Sequence, residues 1–182
     1  MRILLNKYQT LLLSLFLVLS TALAYSRIAT HGFVNLDDTI QITENTRVLS
    51  GLSWDNFLWS FSPESWAAPL TWLTYTVFFE FFGLTASVFH ILMLCLHVAN
   101  VVLLFIALRN MTDAPLKSAF VAALFALHPM NVESVAWVAE LNNVLSGLFF
   151  MLTLLAWHAY TLRPSWQRYC LALALFGLGL MA

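Results

Sequence analysis

Two adjacent carboxylates follow the first apolar run, in Gly32-Phe33-Val34-Asn35-Leu36-Asp37-Asp38. Such neighbours repel, and repulsion lifts one pKa toward that of a working acid or base. Asp37 could take a proton from an attacking hydroxyl while Asp38 orients it or holds a cation. The same pair also suits a plain solvated turn, because Asp and Asn favour turns.

A second polar group lies further on, in His128-Pro129-Met130-Asn131-Val132-Glu133 and Trp137-Val138-Ala139-Glu140. His128 could bind an anionic group or donate a hydrogen bond, and Glu133 and Glu140 could supply further acid. His128 and Glu133 miss the i, i+4 spacing that puts two metal ligands on one helix face, which argues against zinc. A polar helix end meeting water accounts for the same residues. His90, His97 and Asn100 sit inside an apolar run. His90 and His97 share a helix face, and His97 and Asn100 are neighbours on it. Ionisable groups in a membrane helix are functional suspects, and neutral His and Asn also join helices to one another.

These groups need elements to hold them, and composition says what kind. The chain has 182 residues, 61% of them hydrophobic and 9% charged. Soluble domains carry about 25% charged residues, so a bilayer is the natural solvent and the expected class is an all-α integral membrane protein. A net charge of −1 argues against nucleic acid, whose phosphates need a basic face. Cys95 and Cys170 lie in apolar runs without partners at ligand spacing, and read as small apolar filler. No cofactor is named by the pattern; a divalent cation at the paired aspartates stays compatible with it.

About 20 apolar residues cross a hydrocarbon core. Leu11 to Ala29, Ser87 to Leu108, Ser118 to about Asn131 and Val144 to Leu162 are read as four complete spans, the third short unless it continues past Pro129. A fifth run begins near Tyr169 and is still apolar at Ala182, so a longer protein is expected. Arg2 and Lys7, the first run and Ala22-Leu23-Ala24 also fit a cleavable signal peptide; because the run extends to Ala29, a retained anchor is preferred. Lys and Arg stay on the cytoplasmic side. With the N-terminus inside, Arg2, Lys7, Arg109, Lys117, Arg163 and Arg168 are cytoplasmic, six of the eight basic residues, while eight of the nine acids lie outside. If Trp66 to Gly83 crossed as well, only Arg2 and Lys7 would remain inside and Glu80 would enter the bilayer. That segment is therefore placed along the outer surface or dipping into it. Asn110-Met111-Thr112 has the form of a glycosylation sequon but falls on the cytoplasmic side.

Residues 30–86 then form one long outer loop, too long to lack structure of its own. Ser53 is a candidate N-cap, and Trp54, Phe57, Leu58 and Phe61 recur at helical spacing before Pro63. Pro69 suits the first turn of a second helix, with Leu70, Leu73, Val77 and Phe81 on one side. Trp54, Trp59, Trp66 and Trp72 suit the headgroup level. The expectation is two interfacial helices resting on the outer leaflet.

In order, Phe33-Val34-Asn35-Leu36-Asp37-Asp38, Thr43-Glu44-Asn45, Leu52-Ser53-Trp54, Pro69-Leu70-Thr71-Trp72-Leu73-Thr74-Tyr75 and Phe82-Gly83-Leu84 resemble the start of the transmembrane and tetratricopeptide-repeat membrane proteins. Those are grouped with the protein O-mannosyltransferases in the GT-C class of glycosyltransferases. The run from Ala119 to Pro129, Val132 to Glu140, and Val144-Leu145-Ser146 extend the resemblance over about residues 30–182.

The resemblance implies that residues 1–182 are the N-terminal part of a GT-C-like transmembrane bundle, without its later spans and its repeats. It implies a multi-pass protein of a bacterial inner membrane, or of the endoplasmic reticulum in a eukaryote. Its partners would be a polyprenyl-phosphate sugar donor, a protein or glycan acceptor and membrane lipids. Asp37 would be the catalytic base with Asp38 beside it; Arg47, His128, Glu133 and Glu140 would bind substrate. Arg27, Arg47, His31 and His128 are the outer groups that could meet the leaving phosphate. The chain departs from the family at Ala68, where a basic or His residue is frequent, and at Glu140-Leu141-Asn142-Asn143, where Glu-Arg-Lys-Asp is frequent. Two other classes fit the same residues: a transporter or channel piece with a proton path through His90 and His97, and a non-catalytic assembly subunit.

Overall fold

The structure is a computed structural model that describes residues 2–65 and 68–182, with side chains from residue 8 onward. Trp66 and the side chains of Arg2 and Lys7, used above, lie outside the described residues. Every regular element described is helical. Helix α1 (Arg2–Ala24) precedes a loop holding α2 (Thr46–Leu49), α3 (Trp54–Ser60) and α4 (Pro69–Phe82). Then come α5 (Ala86–Thr112), α6 (Pro115–Leu127), α7 (Asn131–Ala136), α8 (Leu141–Leu162) and α9 (Trp166–Gly179).

Three segments are long and apolar enough to cross a membrane: Tyr8–Thr30, Ala86–Thr112 and Val138–Leu162. The expected third span is shorter than read. α6 has 13 residues, about 20 Å of helix. Pro129 is the cause: the residue before a proline is driven out of the α region, and His128 is extended at φ −67°, ψ 131°. The fifth run is a helix of 14 residues, α9, packed along α8.

α5 is the hub, touching α1, α6, α7 and α8. One core joins Leu17 of α1 and Val101 and Phe105 of α5 to Ala119, Ala122 and Ala126 of α6. Alanines at that spacing let helix backbones approach closely. α1 thus contributes to the packed core. The other core joins loop and bundle: Ile42, Val48, Trp72 and Tyr75 pack with Phe89, Met93, Val138, Leu141 and Val144.

The loop helices start where their caps place them. Ser53 Oγ accepts from the Asn56 N–H at 3.1 Å, and Pro69 opens α4. α4 turns one face into the protein. Trp72 and Tyr75 are buried in the second core, and the Trp72 indole donates to Ser65 O at 2.7 Å, so the Trp72 ring packs against protein. Leu70, Leu73 and Val77 form the half-exposed outer side of α4. Cys95 is exposed rather than buried filler. Gly51 has φ +72°, and a Cβ there would collide with the Glu80 carboxylate, which accepts from the Leu52 N–H at 3.0 Å.

Basic residues gather at the end of the bundle away from the loop: Arg109 in the last turn of α5, Lys117 in the first of α6, Arg163 at the C-cap of α8 and Arg168 in the first turn of α9. Arg168 Nη1 donates to Ala159 O at 2.8 Å, which also accepts from the Arg163 N–H, and to Arg163 O at 3.0 Å, and so ties the start of α9 to the end of α8.

The break at Pro129 has a backbone consequence. Proline has no N–H, so Phe125 O loses its helical donor; Asn131 Nδ2 replaces it at 2.6 Å. Met130 N–H turns instead to His128 Nδ1 at 3.2 Å, and Ala126 O is met by His97 Nε2 at 3.1 Å. Removing one donor strands a carbonyl in an apolar setting, at about 1–3 kcal/mol. Asn131→Ala and His97→Leu should each lower unfolding free energy by that amount in micelles, read by reversible denaturant titration followed by circular dichroism.

Candidate functional site

The paired aspartates part company in the structure. Asp37 is exposed and Asp38 is fully buried. Asp38 Oδ2 accepts from the Val34 N–H at 2.7 Å, closing the loop on itself. Its Oδ1 accepts from the Ala139 N–H at 2.8 Å, across 101 residues of sequence. Next to that contact the Tyr75 hydroxyl donates to Val138 O at 2.8 Å. Asp38 and Tyr75 therefore hold the 3-10 turn Val138–Glu140 by one N–H and one C=O. That turn presents Glu140, whose carboxylate accepts from Asn143 Nδ2 in a short contact.

Burial pushes the Asp38 carboxyl above the ordinary carboxylate range; its two backbone N–H bonds and His90 pull it back down, and Asp37 adds to the rise. Burial, followed by the Asp38 carboxylate, with a smaller contribution from Glu140, also keeps the Tyr75 phenol protonated. Asp38, Glu140 and Tyr75 are thus one electrostatic neighbourhood. His90 closes it: its Nε2 is 3.2 Å from Gly32 O, and its ring meets the exposed His31 ring edge-on at 6.0 Å. His90 is the basic side chain that acts on Asp38, and His31 lies against it on the exposed side.

The other residues picked from the sequence lie elsewhere. Arg47, on α2, rests its guanidinium 5.5 Å from the Trp59 ring centre, a cation–π contact. His128 is exposed at the turn after α6 with Nδ1 already accepting, and Glu133 is exposed on α7. The polar residues inside α5 join elements: His90 to the loop, His97 to the end of α6, and Asn100 Nδ2 to Val144 O of α8 at 2.9 Å. Among the described residues no cluster of three or more His, Cys, Asp or Glu could hold a metal ion.

Tyr75 and the turn carbonyl it grips are the site residues that sequence reasoning missed. Their signal was present but unreadable as such, because a Tyr in an apolar helix looks the same whether its hydroxyl finds water or a distant backbone oxygen. Asn56 was missed in the same way; its amide donates to Arg47 O, Ser50 Oγ and Gly51 O at 2.7–2.8 Å, tying α2 to α3.

Because the folded state raises the Asp38 pKa from 3.8, the native protein holds that proton more tightly than the unfolded chain. Its contribution is full below that value and falls as pH rises toward the raised pKa, then levels. The difference in stability between the parent and Asp38→Asn should therefore change with this sign, shifting against the parent as pH rises through that window. Thermal melts at stepped pH measure it. The amide also sets a donor against a backbone donor, lowering stability at every pH by about 1–3 kcal/mol. Comparison with protein-family models, with curated proteins and with solved structures returns no match for this chain.

Proposed function

We propose that this chain is the N-terminal membrane part of a GT-C-type glycosyltransferase that moves a sugar from a polyprenyl phosphate to a hydroxyl acceptor on the non-cytoplasmic side. The observation that carries the reading is the division of labour between Asp37 and Asp38. Asp38 spends both oxygens on backbone N–H groups, which anchors the loop and leaves Asp37 outward with its carboxylate available. A general base must be fixed in place and open to substrate, and the anchored loop supplies both conditions.

In this mechanism the acceptor hydroxyl attacks the anomeric carbon. Its proton passes to Asp37 as the new C–O bond forms, and the bond from that carbon to the lipid phosphate oxygen breaks with its electron pair. The phosphate leaves as an anion and needs donors or cations around it. His31, exposed beside His90, would supply one such donor; Arg47 would have to leave Trp59 to take part. Asp38 and Tyr75 act as positioning residues, setting the turn that carries Glu140. His90 and His97 each spend Nε2 on a backbone carbonyl, which favours a joining role over a proton path.

Topology follows from charge. The four basic residues described at the far end of the bundle belong in the cytosol, and the loop with Asp37 outside. Asn142→Cys should react with an impermeant maleimide added to intact cells, and Thr112→Cys should not; the reverse pattern removes the site from the compartment the chemistry requires.

In native membranes given a polyprenyl-phosphate sugar, Asp37→Asn should lower transfer by about 10²- to 10⁴-fold, the worth of a general base. Its melting temperature should stay at the parent value, because Asp37 is exposed. Equal transfer by parent and variant would end the assignment.

A further inference from the structure

Three helix ends meet α5 at one level. Tyr25, just past α1, has its ring 5.5 Å from that of His97. Ala126, at the end of α6, bonds His97 at 3.1 Å. Val144, in the first turn of α8, bonds Asn100 one turn further along at 2.9 Å. From His97 to its basic end α5 runs about 22 Å, and α6 beside it about 20 Å. A bilayer core is about 30 Å thick. Below His97, α5 and α6 are each too short for that core, whereas α1 with 23 residues and α8 with 22 are long enough to cross it.

Above His97, α5 continues for about 16 Å, and loop elements surround it. Phe89 and Met93 pack there with Ile42, Val48, Trp72 and Tyr75. α4 starts at the same level as the helix ends: Leu70 N–H bonds Met181 O at 2.9 Å, and nearby Gly179 abuts Phe149 of α8. Trp59 lies 5.4 Å from Trp72, so the last turn of α3 packs against the first turn of α4.

The outward surface of this layer is apolar where a water-facing surface would be polar. α3 is turned inside out. Its polar Asn56 and Ser60 are buried, while Leu58 is 53% exposed and Phe61 50%. On α4, Leu70, Leu73 and Val77 line a shallow apolar groove of about 230 Å³. Asp55 is exposed at the edge of the α3 stripe, one step round from Leu58. These side chains belong to the layer that packs beside the upper part of α5, beyond the end of α6.

We propose that the loop is an intramembrane layer whose α3 and α4 faces contact the acyl chains of the outer leaflet. Leu58, Phe61, Leu70, Leu73 and Val77 then complete the thickness that α6 leaves short. This goes beyond helices resting on a surface, and it depends on the membrane reading but not on sugar transfer. The occupant is lipid because this apolar surface, half exposed on α3 and partly exposed on α4, is continuous in character with that of α1 and α6, where Leu12, Phe16, Phe120 and Leu124 are at least half exposed.

The test uses the chain with Cys95 and Cys170 changed to Ala, reconstituted in phosphatidylcholine vesicles. Single cysteines at Leu58→Cys and Leu73→Cys carry an environment-sensitive fluorophore; Thr46→Cys, exposed on α2, is the reference. Emission at 58 and 73 should shift to the blue and be quenched by bromine on the acyl chains more than by iodide in the water. Thr46 should show the opposite order. If iodide quenches 58 and 73 as it does 46, the layer stands clear of the bilayer. If neither quencher reaches them, a protein surface covers them. Either result overturns the proposal. Phe61→Cys replaces either position if the labelled variant loses helicity.

Discussion

Backbone polar groups that cannot reach water must find partners inside the fold, and that requirement organises this protein. The chain breaks its helix at Pro129 and does not settle into a long helix again until Leu141. Over that stretch, carbonyls and N–H groups fall free within an apolar bundle. Side chains from four different places serve them: Asn131 for Phe125 O, His97 for Ala126 O, Tyr75 for Val138 O and Asp38 for the Ala139 N–H. Each bond contributes modestly when made and would be costly if left unmade. The broken segment is therefore also the place where loop, α5, α6 and α8 are stitched together.

The same accounting separates two residues that composition treats alike. Asp38 is drawn inward because the turn at Ala139 offers a donor and Val34 offers another; a carboxylate can accept both, while an amide could accept one. Burial opposes the charge, and the two bonds with His90 offset part of that opposition. Asp37, one residue away, points outward because a single step along this turn changes the side. A loop held at Asp38 has little freedom at Asp37, and an exposed carboxylate on an ordered backbone is a better reagent than one on a loose tail.

Much of this was legible in the residues. Ser53 and Pro69 announced the starts of α3 and α4, and hydropathy located α1, α5 and α8. His97 and Asn100 announced themselves as joints because polar groups in an apolar run need partners. The length of α6 was half legible: Pro129 was seen, but whether the helix would carry on beyond it depends on who accepts and donates on the far side. The inward face of α4 was not legible, because Trp72 and Leu73 are both apolar and its periodicity marks two apolar sides. Which side is inside is decided by Phe89 and Val138, which are distant in sequence. The Asp38–Ala139 bond has the same character, since nothing local to either residue implies the other.

The two-sided apolarity of α4 and the inverted polarity of α3 then have a common origin. In water a helix is sorted by burial, with polar groups out. Here Asn56 is inside because three acceptors of the α2–α3 turn are there, and Leu58 is outside without penalty only if its surroundings are not water. A soluble layer with this surface would expose a row of large apolar side chains with no compensating contact. Placed against lipid, the arrangement becomes consistent at every level: polar groups satisfy one another within, apolar groups face solvent-like hydrocarbon, and the turn bearing Asp37 stays near the boundary between the two media. A site there would accept a substrate with one end in lipid and the other in water, which is the chemical description of a lipid-linked donor.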